Sequence, residues 1–393
     1  MLRMQAMISI GSILDRDGGI GGGFAFLRVF LATLVVFYHS FVVVGGDPLS
    51  QQELWFIGYS VLAVFFSLSG FLITGSALRL SLPNFLLNRS ARIVPALAMD
   101  IVLSALILGP IVTTVSTADY FSDISFYKYF FNILGFPHYV LPGVFTTHPW
   151  PQVNISLWTI PWEISCYIIM ASLIYLRMLN RTFVIMSMAA AITMVGVIIV
   201  GLDHGFPVHY QVHRVIHYFL GGTGSRLVIC FLLGILFFQY RHSIPYSWTL
   251  FAICVLWCLG LAAFVRPYSI MSLAPIMNVF AAIPMVYITI FLGMTRIPEL
   301  PILRHGDYSY GIYLYAFPIQ QVVYALHPGK FPIANFCLSM PFVLAFAMIS
   351  WHLVEKPILA YRKKFSFSPV KHPPKASSSA HGTVSVSDAG ARS

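Results

Sequence analysis

Apolar stretches of about 20 residues recur from one end of this chain to the other, each long enough to cross a ~30 Å hydrocarbon core as a helix. No other feature narrows the fold as much. Inside a bilayer, backbone N–H and C=O groups find no water, so a spanning segment closes its own hydrogen bonds as a helix or joins a closed barrel. The runs are continuous rather than alternating, which argues against a barrel. Composition agrees. Hydrophobic residues make up 58% of the 393, charged residues 9%, and mean hydropathy is +0.81, whereas soluble domains carry roughly 25% charged residues. The expected fold class is all-α: a polytopic membrane protein with about ten transmembrane helices.

Spans are expected near residues 24–44, 54–77, 94–116, 157–176, 182–202, 226–240, 247–265, 270–293, 308–327 and 333–353. Residues 1–23 form a glycine-rich cytoplasmic lead, 24–360 the membrane domain, and 361–393 a Ser-, Pro- and Lys-rich cytoplasmic tail without apolar periodicity. The first apolar run is too long for a signal-peptide core and is read as a retained helix. With the N-terminus inside, 17 of the 23 Lys and Arg residues fall in inner segments. Only five (Lys128, Arg214, Arg226, Arg266 and Lys330) fall outside, and Arg28 lies within the first span. That asymmetry predicts an N-in, C-in topology. It also accounts for the net charge of +10 without nucleic acid as a partner, because no soluble domain presents a basic patch. The five cysteines (Cys166, Cys230, Cys254, Cys258, Cys337) have neither zinc nor disulfide spacing.

Two connections are long, about 117–156 and 203–225, and long loops in compact folds tend to be functional. In the second, His209, His213 and His217 recur every four residues and would align on a helix. Without an adjacent acid, solvated loop histidines are the preferred reading over a zinc site. Chemistry is therefore expected within the bundle.

Arg28 and His39 are eleven residues apart in the first span, which puts them on one face about 17 Å apart along the axis. An arginine in an apolar run is normally placed for a partner or pathway, although it can also snorkel. His39 has the residue chemistry of a general base. Ser67, Ser69 and Gly70 in the second span suit close backbone packing. Arg89 and Arg92, three apart, point the same way on a helix. Their planar forks suit phosphates, although topology determination by positive charge explains them equally well. Glu163 opens the fourth span as an intramembrane carboxylate, either functional or paired with an Arg or His. The strings at 306–318 and 351–357 read as packing and interface anchoring.

In this order the segments resemble the acyltransferase-3 family of membrane-bound acyltransferases over residues 24–360. The resemblance rests on Arg28 through His39, on the Phe-Phe-x-x-Ser-Gly-Phe string at 65–71 and on the Arg-x-x-Arg-x-x-Pro string at 89–95. Ser156-Leu157-Trp158 followed by Glu163 and Tyr167, the string from Ser309 to Leu314, and Val354-Glu355-Lys356-Pro357 complete it. The sequence departs at Ala316, where many members have histidine. The resemblance implies transfer of an acyl group, usually acetyl, from acyl-CoA to a hydroxyl of a surface or exported carbohydrate or lipid-linked glycan at the bacterial inner membrane. Acetyl-CoA is then a donor substrate, and no cofactor is permanently bound. It also implies that His39 is the catalytic histidine and that Arg28, Arg89 and Arg92 serve the donor. Glu163 would orient the imidazole or balance its charge. A transporter or flippase for a lipid-linked glycan is the competing expectation, suited by proline-broken spans but not by any internal repeat.

Overall fold

The computed structural model describes residues 8–19, 21–48, 51, 54–203, 223–265, 267–297 and 305–365. Among them the fold is all-helical. The only β geometry is two isolated bridges, Ser9 with Pro245 and Thr113 with Val144.

Among the described residues the long helices are α1 (Phe24–Val43), α2 (Trp55–Ala77), α3 (Leu82–Leu103), α4 (Ile160–Tyr175) and α5 (Thr182–Asp203), then α6 (Thr223–Gln239), α7 (Trp248–Phe264), α8 (Pro267–Met294), α9 (Ser309–Leu326) and α10 (Pro332–Ser350). Six helical segments among the described residues are long and apolar enough to cross a membrane: Phe24–Val43, Trp55–Ala77, Leu82–Val112, Ile155–Tyr175, Thr182–Ile199 and Pro332–Tyr361. Two of the others, α6 and α9, are shorter or more polar for a physical reason. In α6 every residue from Leu227 to Leu232 is buried, so protein rather than lipid surrounds it. In α9 the buried set includes Tyr313, Tyr315, Gln320 and Gln321. A helix enclosed by other helices can carry such residues, because its neighbours supply partners.

The third helix corrects the expected boundary. It starts at Leu82, not near residue 94, with Ser81 in extended geometry and Pro83 in the first turn, where a missing N–H costs nothing. Arg89 and Arg92 therefore lie well inside a helix rather than ahead of one. This helix continues through a π-turn at Ser104–Leu108 to Val112. Another π-turn, Trp351–Glu355, follows α10. Such turns insert an extra residue and re-aim side chains, and they often do so at functional sites.

The lead is more than a polar arm. Its helix Ile10–Arg16 buries Ile10, Ile13 and Leu14, and its backbone bonds the α6–α7 connection through Ile10 N to Ile244 O (3.0 Å) and Gly11 N to Arg241 O (2.7 Å). The connection holding His209, His213 and His217 lies outside the described residues, as does the tail beyond residue 365.

Helix α2 packs along α6, α9 packs between α1 and α10, and α3 packs on α4. The α2–α6 contact is backbone on backbone. A Cβ at Gly70 would collide with the Phe231 carbonyl oxygen, and one at Gly234 with the Ser67 carbonyl oxygen. Between α3 and α4 the chain folds into short helices at Thr117–Ser122 and Ile124–Tyr129. This segment has its own buried residues (Tyr120, Phe126, Tyr129, Leu141, Val144, Phe145) and is anchored to the bundle by amides. Asn154 Nδ2 donates to Asp100 Oδ2 (3.0 Å) and to the Leu314 carbonyl (2.9 Å). Gln321 Nε2 donates to the carbonyls of Trp150 (2.6 Å) and Gln152 (2.7 Å).

Candidate active site

Arg28 on α1 and Arg92 on α3 meet at one carboxylate. Arg28 Nη2 lies 3.3 Å and Arg92 Nη2 2.8 Å from Asp307 Oδ2. The other oxygen, Oδ1, accepts from Ser309 Oγ (2.6 Å) and Ser309 N (3.3 Å) at the start of α9. Asp307 thus ties three helices together at a fixed orientation. Burial alone would raise its pKa, but the Arg92 and Arg28 charges and the Ser309 bonds outweigh burial and push it down from 3.8 to about 2.

Arg92 has a second acid. Its Nη1 is 3.5 Å from Glu355 Oε2. Glu355 is 1% exposed and sits at the end of the second π-turn. Ser350 Oγ donates to Glu355 Oε1 (3.1 Å), and Tyr315 Oη donates to Ser350 Oγ (2.8 Å). Trp351 lies beside the same guanidinium, 5.5 Å from ring centroid to Cζ. Arg89, three residues before Arg92 on α3, has no ion-pair partner among the described residues, and its Nε is buried without a hydrogen bond. Glu163, in the first turn of α4, accepts from Tyr167 Oη at 2.7 Å, one turn further along.

These groups share a cavity of about 190 Å³, whose lining includes Arg28, Arg89, Arg92, Glu163, Tyr167, Ser309, Tyr310 and Tyr313. Four of the five residues singled out from sequence are therefore together, although they come from α1, α3 and α4. A second, apolar groove of about 550 Å³ runs between α3 and α4. It shares Arg89, Ile93 and Tyr167 with the cavity wall.

His39 stands apart. It is 9% exposed on the inward side of α1, and its ring meets Phe317 edge-on at 5.3 Å. Nδ1 is buried without a partner. The imidazole does not line the cavity. Tyr313 does, and Phe317, whose ring meets the imidazole, follows one turn later on the same face of α9. No hydrogen bond joins Glu163 to His39; the carboxylate is held by Tyr167 instead.

Sequence reasoning missed the acids that answer the arginines. Asp307 and Glu355 sat inside strings read as packing and interface, and Asp100 lay unremarked within the expected third span. Asp100 is 2% exposed and takes the Asn154 bond. Its signal was available, since a carboxylate inside an apolar run needs a partner.

The family model described as an acyltransferase domain, acyltransferase-3, matches residues 22–352. A protein named O-acetyl transferase from Shigella phage Sf6 is 29% identical over 355 residues, covering 84% of this chain and 94% of that protein. Nodulation protein 10 of Rhizobium leguminosarum bv. viciae is 25% identical over 382 residues, covering 90% of this chain and 97% of that protein. No solved structure matches.

Proposed function

We propose, for a chain that belongs to the acyltransferase-3 family and is an O-acetyltransferase, that acetyl moves from acetyl-CoA to a hydroxyl of a surface or exported carbohydrate. The enzyme works in the bacterial inner membrane, with ten spans and both termini inside. The observation that carries this reading is the convergence of Arg28, Arg89, Arg92 and Glu163 on one cavity. Guanidiniums are the side chains best shaped for phosphate, and coenzyme A offers several phosphates at the end remote from its thioester. The pantetheine arm then runs toward His39, past Tyr313 and Phe317.

His39 takes the proton of the sugar hydroxyl, the freed oxygen attacks the thioester carbonyl, and the tetrahedral intermediate collapses with loss of the coenzyme A thiolate. The proton held on the imidazole passes to that thiolate, which restores the base. An unpartnered Nδ1 supports this role, because no structural bond occupies it. Glu163, held by Tyr167, offsets positive charge in the cavity rather than orienting the imidazole.

The test is incubation of membranes containing the full-length protein with glycan acceptor and acetyl-CoA labelled in the acetyl group. Label on glycan is expected from an acyltransferase and not from a transporter or flippase. His39→Ala should lower labelling by about 10²–10⁴-fold while the protein still inserts. Full activity in that variant would remove His39 from the chemistry.

A further inference from the structure

Most polar groups around the 190 Å³ cavity are already engaged. Arg92 is bound to Asp307 and Glu355, Ser309 to Asp307, Tyr167 to Glu163, and Tyr313 Oη to Thr159 Oγ1 at 2.7 Å. Three lining residues keep a buried polar atom with no partner: Arg28 at Nε, Arg89 at Nε and Tyr310 at Oη. All three can donate a hydrogen bond, and two belong to cations. Leaving buried donors unpaired is costly, and native proteins seldom do so. An acceptor-rich, negatively charged group in the cavity is the kind of ligand that gives such donors partners. A neutral sugar could accept hydrogen bonds there, but an anionic oxygen makes the stronger, charge-assisted ones with a guanidinium.

We propose that Tyr310 is a donor-binding residue whose hydroxyl, with Nε of Arg28 and Nε of Arg89, receives a phosphate of the acyl donor. This rests on the coenzyme reading above and deepens it. The three arginines thereby divide: Arg28 and Arg89 touch the donor, while Arg92 positions Asp307 and Glu355. Tyr310 also lies seven residues before Phe317 on α9, so the phosphate contact and the ring that meets His39 belong to one helix.

The experiment is calorimetric titration of the purified full-length protein in detergent with coenzyme A and, separately, with pantetheine, which lacks the phosphates. Tyr310→Phe should weaken coenzyme A about tenfold, the equivalent of about 1.4 kcal/mol, and leave pantetheine binding unchanged. Because the hydroxyl has no protein partner, the variant should melt no lower than wild type. Arg89→Lys keeps the charge but loses the Nε–H, and it should show the same selective loss. Unchanged coenzyme A affinity in Tyr310→Phe would overturn the assignment. So would an equal loss for pantetheine, which would put the hydroxyl on the amide arm instead. Wild-type protein that binds no coenzyme A would overturn the donor reading as a whole, a failure distinct from that of Tyr310 alone.

Discussion

Replacing Asp307 by Asn keeps the side chain's shape and removes the charge that Arg28 and Arg92 share. Asp307 Oδ2 stands 3.3 Å from one guanidinium and 2.8 Å from the other. A carboxyl whose pKa falls from 3.8 to about 2 gains about 2 kcal/mol of folding free energy in its ionised form. Breaking a buried pair from one side costs about 3–5 kcal/mol. Asp307 is 21% exposed and Glu355 remains on Arg92, so about 2–3 kcal/mol is expected at neutral pH. A folded pKa below the unfolded one means that the contribution is complete above pH ~4 and disappears as pH falls toward 2. Denaturant titration of wild type and Asp307→Asn in mild detergent, followed by circular dichroism, should therefore give a constant gap from pH 7 down to pH ~5 that closes on further acidification. A gap below about 0.5 kcal/mol at pH 7, the scale of an ordinary surface change, would refute the shared-carboxylate account. A gap that persists at pH 2 would do the same.

Gly70→Ala should destabilise by about 1–3 kcal/mol, read as a lower melting temperature, because the new methyl meets the Phe231 carbonyl oxygen. Gly260→Ala, with open space around it on α7, is the control and should melt no lower than wild type. Asn154→Ala removes the bonds to Asp100 and Leu314 at a cost of about 1–3 kcal/mol. It should also speed proteolysis between residues 113 and 154; an unchanged cleavage rate would mean that the Gln321 bonds and the aromatic core hold the segment without Asn154.

Much of the fold was legible because its dominant signal is length of apolar run, which survives errors at the edges. Where the signal weakens, the boundary slips. Leu82 through Arg89 mixes Leu, Phe, Asn and Arg, and the start of α3 is marked instead by Ser81 and Pro83, a capping pattern rather than a hydropathy one. The glycine-rich lead has no long apolar run, yet Ile10, Ile13 and Leu14 carry enough apolar surface to dock. At the site, residue types were readable and pairings were not. Arg28 meets an acid 279 positions later and Arg92 one 263 positions later, separations that no local spacing rule reaches. The hydrogen bond that Glu163 makes was missed as well: it goes to Tyr167 and not to His39. Tyr167, one turn along the same helix, claims the carboxylate first, and such i, i+4 contacts are the nearest any helical side chain has.

Glycine at residues 70 and 234 has a mechanical consequence. Helices that touch through main chain have no rotamers between them to absorb sliding, so α2 and α6 behave as one stiff strut. By contrast, α3 and α4 leave an apolar gap of about 550 Å³ beside Arg89 and Tyr167. The α3–α4 seam is thus the looser of the two helix contacts, and the α2–α6 contact the tighter.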